Sequence, residues 1–152
     1  MTFAMVVARK PKSLQATNNK EGYMAYLGQE AAIYHRGQPK LISDLYARIV
    51  WIHPVKAGPD ADNIAKPILD ALKGIVFEDD NQIVQCHIEK IFSGPGTSPT
   101  ISDRNQPATE VYAKLLSLVY QEKPHKPDVL YVEVGPVETQ QLTFGPVNGG
   151  DL

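Results

Sequence analysis

Residues 60–82 read Asp-Ala-Asp-Asn-Ile-Ala-Lys-Pro-Ile-Leu-Asp-Ala-Leu-Lys-Gly-Ile-Val-Phe-Glu-Asp-Asp-Asn-Gln, a short amphipathic helix pattern with carboxylates at both ends. Ile64, Ile68, Leu72 and Ile75 recur at the helix period and predict one buried face. Asp62 stands where a helix cap is expected, and Gly74 after Lys73 is a C-terminal stop. Pro67 has no amide donor, so the regular helix is expected to begin near Lys66 with the proline in its first turn. Ile75, Val76 and Phe77 are expected to run extended into Glu78, Asp79 and Asp80. A helix of about ten residues carries the chain away by roughly 15 Å, and about five extended residues bring it back by roughly 16 Å. That return predicts that the two acidic groups meet. It also predicts antiparallel pairing between the strand before the stretch, Asp44 to His53, and the strand after it, Ile83 to Phe92.

Asp60 and Asp62 stand two apart, so in extended chain both carboxylates point the same way. A shared ligand offsets the repulsion between them. With a lysine on the intervening helix, the stretch is suited to a hard divalent cation beside a phosphate.

The rest of the chain alternates strand and helix. Phe3 to Ala8 is an apolar strand ended by Lys10-Pro11-Lys12, and Asn18 or Asn19 caps a helix to about His35, with Gly37 as its stop. Leu45, Ala47, Ile49 and Trp51 line one side of the next strand while Tyr46, Val50 and Ile52 line the other, which predicts an interior strand covered on both faces. From Ile83, apolar Val84, Cys86 and Ile88 alternate with Gln85, His87 and Glu89; Cys86 is expected in the core and the polar face in water or against DNA. Residues 93–107 read as a mobile loop, Thr109 to Gln121 as a helix and Val129 to Val134 as a last strand. The expected fold is α/β (α+β): one domain over residues 1–134, with a mixed sheet of about four strands and two to three helices. Residues 135–152 are expected to be a disordered tail.

At 152 residues the chain holds one core rather than two. Its single cysteine excludes an internal disulfide, and no signal-like or membrane-spanning apolar run appears, so the expected location is cytoplasmic. The net charge of −2 hides a partition: setting aside Asp60, Asp62, Glu78, Asp79 and Asp80 leaves 12 acids against 15 Lys and Arg, or +3. Basic residues cluster at Arg9, Lys10 and Lys12, at Arg36 and Lys40, and at Lys123 and Lys126 around His125. Such residues supply phosphate contacts, or else simply solvate the surface. The four histidines lack metal-ligand spacing and are expected on the surface or on strands.

Asp60-x-Asp62-Asn63, Lys66 four residues on, Asp70-Ala71-Leu72, and Asp79-Asp80-x-Gln82 opening a strand together resemble the RusA-type Holliday junction resolvases. The close likeness covers about 23 residues, with a looser likeness in element order along the chain. The resemblance implies a RusA-like fold and a homodimeric, magnesium-dependent endodeoxyribonuclease that nicks four-way DNA junctions in recombination and repair. It implies Asp60, Asp62 and Asp80 as catalytic metal carboxylates and Lys66 as an essential, basic catalytic residue; from their places beside these acids, Asn63 and Asp79 are expected in support. Manganese is expected to substitute for magnesium, since oxygen ligands favour both over zinc. Two features depart from the pattern: Lys56-Ala57-Gly58-Pro59 stands where arginines would precede the first aspartate, and a polar loop and helix follow Phe92. Arg9, Lys10, Lys12 and Lys56 remain as candidate DNA-binding residues.

Phosphodiesters resist attack because their oxygens are anionic, which is why a cation is expected at three crowded carboxylates. Lys66 would stabilise the scissile phosphate, with amides at the helix start near Asn63 as further donors. The blander readings are a helix cap for Asp62, a surface pair for Lys66 and Asp70, turn acids for Asp79 and a solvated Glu78. A two-fold substrate calls for a two-fold enzyme, with an interface expected on the Thr109 to Gln121 helix unless that helix covers the sheet. Alternatives are a branched-DNA-binding module that does not cut and, less in keeping with the motifs, a magnesium-dependent small-molecule phosphohydrolase.

Overall fold

The computed structural model describes residues 1–95, 97, 99, 101, 108–122, 124–138, 140, 142 and 144–146. Lys123, most of the loop expected after Phe92 and much of the expected tail lie outside the described residues.

Strand β2 (Leu45–His53) is the axis of the fold. Its two neighbours are β4 (Val129–Pro136), which is antiparallel to it, and β3 (Ile83–Phe92), which is parallel. The short β1 (Phe3–Val7) pairs antiparallel with β4, giving a mixed sheet of order β1-β4-β2-β3. The alternation in β2 does what it predicts. Leu45, Ala47, Ile49 and Trp51 pack with Tyr23, Leu27 and Ala31 of α1 (Lys20–His35) and with Ile64, Ile68 and Leu72 of α2 (Ala61–Leu72). Val50 and Ile52 pack on the other face with Val6, Val129, Tyr131 and the Val111 and Val119 side chains of α3 (Thr109–Val119). The apolar stripe of α3 is thus spent covering the sheet, so it is not the free dimer surface expected from the sequence. β4 takes in Gly135 and Pro136, which the sequence assigned to the tail. Among the described residues, no helix is long and apolar enough to cross a membrane.

The parallel pairing of β2 and β3 corrects the expected antiparallel one, and the cause lies in residues 73–79. Gly74, at φ 84°, turns the chain sharply; its amide donates to Phe77 O at 2.7 Å, while the Ile75 and Val76 amides return to Leu72 O at 3.0 Å. Val76 and Phe77 are buried side chains of this compact turn, not residues of a returning strand. The chain therefore enters β3 from the C-terminal end of α2 and makes a β-α-β crossover, the connection that parallel neighbours need. β3 is left as a sheet edge, which explains why Cys86 is exposed rather than in the core.

Two further details differ from expectation. α2 begins at Ala61, so Pro67 lies inside it. The amide that Pro67 lacks would have bonded to Asn63 O four residues earlier, and that carbonyl accepts instead from Leu14 N at 2.8 Å. His35, at the end of α1, is buried against Phe3 rather than on the surface.

Candidate active site

Asp60 is the residue that precedes α2, in extended conformation (φ −71°, ψ 156°), and Asp62 sits in the first helical turn. Asp60, not Asp62, occupies the cap position, and its side chain makes no capping bond. Both carboxylates are exposed. Neither joins an ion pair among the described residues. The Asn63 amide is already committed to Asp60 O at 3.0 Å, so the open donors at this helix start are the amides of Ala61 and Asp62.

One and two turns along α2, Lys66 and Asp70 meet the second acidic group. Lys66 Nζ donates to Asp70 Oδ1 at 2.7 Å and to Asp80 Oδ2 at 3.0 Å, and Lys73 Nζ lies 3.7 Å from the same Asp80 oxygen. Hydrogen bonds to Asp70 and then Asp80 push the Lys66 ammonium up from its ordinary pKa. The Lys66 hydrogen bond, against a smaller desolvation, holds the Asp80 carboxyl below the ordinary carboxylate value. Lys66 is therefore a fixed positive charge, unsuited to take up a proton at neutral pH. Although much of the Asp80 side chain is open to solvent, its Oδ1 is shielded and has no hydrogen-bond partner among the described residues.

Asp80 is held by the turn it opens, a single 3-10 turn over Asp80–Gln82. Asp79 Oδ1 accepts from Asn81 N at 3.1 Å, so Asp79 supports the site as a cap. Gln82 Oε1 accepts from the amides of Glu78 and Asp79 at 2.9 and 3.0 Å, and its Nε2 donates to Leu41 O and Ser43 O at 2.8 and 3.2 Å. Glu78 is paired with Lys40 at 2.6 Å rather than only solvated.

The structure brings Lys66 to Asp80, but among the described residues no three His, Cys, Asp or Glu side chains are grouped so as to hold a metal ion. Asp60, Asp62 and Asp80 are thus not gathered in the single chain, because the turn at 73–79 leaves Asp80 beside the middle of α2. Their chemistry still suits a hard cation: among the described residues, two exposed carboxylates have no ion-pair partner and one oxygen of the third is unpartnered.

Of the candidate DNA-binding residues, Lys10 and Lys56 lie at the loop that leads into Asp60. Arg9 lies over the Tyr26 ring at 4.7 Å, Lys56 over Phe92 at 4.8 Å, and Lys10 against Gly58, while Lys12 is half-buried. Sequence reasoning passed over Lys73, Lys90 and the bonding of Gln82. Only Gln82 carried a signal, as the last residue of the Asp79-Asp80-x-Gln82 string. A cleft of about 1060 Å³, lined by Arg48, Glu133 and Glu110 among others, contains none of the candidate metal ligands.

No curated protein matches the chain. The sequence profile described as endodeoxyribonuclease RusA matches residues 9–102, from just after β1 through β3 and beyond, and so covers the acidic groups, Lys66 and the Gln82 turn. With a match over more than half its length that contains the whole candidate site, the chain belongs to the RusA endodeoxyribonuclease family.

Proposed function

We propose that this protein resolves four-way DNA junctions by paired phosphodiester hydrolysis, in recombination and repair, and that it needs magnesium or manganese to do so. The observation that carries the reading is Asp80: its one oxygen is neutralised by Lys66 and, among the described residues, its other oxygen is shielded and unpartnered while the carboxylates of Asp60 and Asp62 are free of ion pairs at the start of the same helix. Asp60, Asp62 and Asp80 would hold the cation, which when bound would screen the phosphate charge and acidify the attacking water. Lys66 keeps its proton and offers a full positive charge to a non-bridging phosphate oxygen, a contact that gains strength as charge builds on that oxygen. Lys73 shares the neutralisation of Asp80, so Lys66 can turn to the phosphate without leaving that carboxylate bare. The open amides of Ala61 and Asp62 add donors on the same side.

The active species is a homodimer, because a junction presents two symmetry-related strands and an isologous pair meets both. With α3 committed to the sheet, the partner is received on the β3 edge, which among the described residues has no further strand beside it and exposes Val84 and Cys86. The ungathered acids favour one other reading, a module that binds branched DNA without cutting it. Incubation with labelled four-way, Y-shaped and linear duplex DNA, with and without magnesium, separates the two. Paired nicks in the junction alone, and only with the cation, are expected; binding without cleavage under every condition would favour the module.

A further inference from the structure

We infer that Lys10, Lys56 and Lys90 form a phosphate-binding clamp around the loop Lys56–Pro59, which grips the DNA backbone next to Asp60. The inference rests on the nuclease reading above for its ligand, and it adds Lys90 and a defined site to it.

Trp51 is the floor of the clamp. It is fully buried, fixed by a 2.9 Å hydrogen bond from Nε1 to Asp128 Oδ1, and packed against the tilted ring of His53, which in turn meets Phe92. Gly58 crosses this floor at φ 114°, and a Cβ there would stand 2.8 Å from the Trp51 ring and 2.9 Å from Lys10 Cε. A glycine is thus needed for both the backbone conformation and the close approach. From the β3 side, Lys90 reaches over the Trp51 ring, with Nζ 5.2 Å from its centre, and donates to Pro59 O at 3.1 Å. Lys56 lies over the Phe92 ring at 4.8 Å. Lys10 and Lys90, both distant in sequence, therefore converge on the four residues Lys56–Pro59, which end one peptide bond before Asp60.

All three lysines are exposed, and none forms an ion pair among the described residues. Asp128, the acid bonded to this floor, spends Oδ1 on Trp51. Lysines that only solvate a surface spread apart, since like charges repel. Here Lys56 and Lys90 hold their ammonium groups over the Phe92 and Trp51 rings and Lys10 lies against Gly58, so the three cations are already placed when an anion binds and less entropy is lost. Repeated anionic oxygens on one strand are the ligand that three such cations suit. A phosphate held there positions the strand so that a neighbouring phosphate comes to Asp60 and Asp62.

The test is junction binding by fluorescence anisotropy in EDTA, over a series of salt concentrations, so that no cutting intervenes. Lys10→Gln, Lys56→Gln and Lys90→Gln should each weaken binding by roughly fivefold near physiological salt and reduce the slope of log K against log salt by about 0.9. The triple variant should lose about three contacts, and the triple Lys→Arg variant should retain them. Lys114→Gln, on α3 across the sheet, should match the wild type. Circular dichroism checks that each variant is folded. An unchanged slope in the folded triple variant, an equal loss in Lys114→Gln, or a wild type that binds no DNA would overturn the clamp. A protein that never cuts but shows the predicted slopes would sink the nuclease reading and leave the clamp standing; one that cuts junctions with unmoved slopes would do the reverse.

Discussion

Replacing Gln82 with alanine should damage the protein more than the loss of a half-exposed polar side chain normally would. Its carboxamide makes four hydrogen bonds of 2.8–3.2 Å, two from the acidic turn and two to the chain before β2. A neutral hydrogen bond contributes about 0.5–1.5 kcal/mol net, and at a partly solvated site the lower end applies because water replaces the partners. Four such bonds give a loss of about 2 kcal/mol. For a chain of this size that corresponds to a fall in Tm of roughly 4–8 °C. Gln82→Glu separates the two halves of the clasp: the carboxylate can still accept from the Glu78 and Asp79 amides, but it opposes the Leu41 and Ser43 carbonyls and adds charge beside Asp79 and Asp80. It should therefore be no more stable than the alanine variant. Because the clasp fixes the turn that carries Asp80, cleavage of a junction by Gln82→Ala should slow at saturating DNA, while binding in EDTA stays as it was. Thermal melts followed by circular dichroism, paired with single-turnover cleavage, read both effects. A shift in Tm below about 1 °C with normal cleavage would refute the reasoning.

Asp62→Asn should abolish cleavage and leave junction binding intact or tighter, since it removes one of the proposed metal carboxylates and a charge that repels phosphate; gel-based cleavage and anisotropy on the same preparation decide it. Sedimentation equilibrium at micromolar protein should give a homodimer, and a monomer that still makes paired nicks would contradict the two-fold scheme. Burial, and then the hydrogen bond to Glu133, push the Tyr46 phenol up to about 12. A raised folded-state value means that this contribution to stability is whole below the unfolded value of about 10 and is lost as pH rises through the folded one. Urea denaturation midpoints should therefore be level up to about pH 10 and fall towards pH 12, and a midpoint that holds level through that window would count against the Tyr46–Glu133 bond.

What could be read in the sequence was what local pattern controls. The two-faced alternation of β2 and the Ile64, Ile68, Leu72 stripe predicted which residues meet in the core, because burial follows side-chain direction. The family string located the acids and Lys66. What escaped was governed by single backbone bonds. Ile75-Val76-Phe77 has the composition of a strand, yet Gly74 folds it into a turn, and that one conformation reversed the expected direction of β3. Cys86 alternates like a core residue, but alternation does not tell whether a strand is central or at an edge. Lys90 has no sequence signal, since its partners Trp51 and Pro59 are remote along the chain and come near only through the β2–β3 register.

Pro67 has a mechanical consequence. By withholding an amide it frees the Asn63 carbonyl, and Leu14 takes it, so the basic segment after β1 is fastened to the first turn of α2 beside Asp62. In the proposed clamp, tension on a DNA strand held by Lys10 would be carried through Leu14 into the start of that helix instead of being dissipated in a slack loop. Insertions between Leu14 and the start of α1 leave this tether at its original length. Insertions between Lys10 and Leu14 lengthen it, and the grip on the backbone and the placement of the acids would no longer move together.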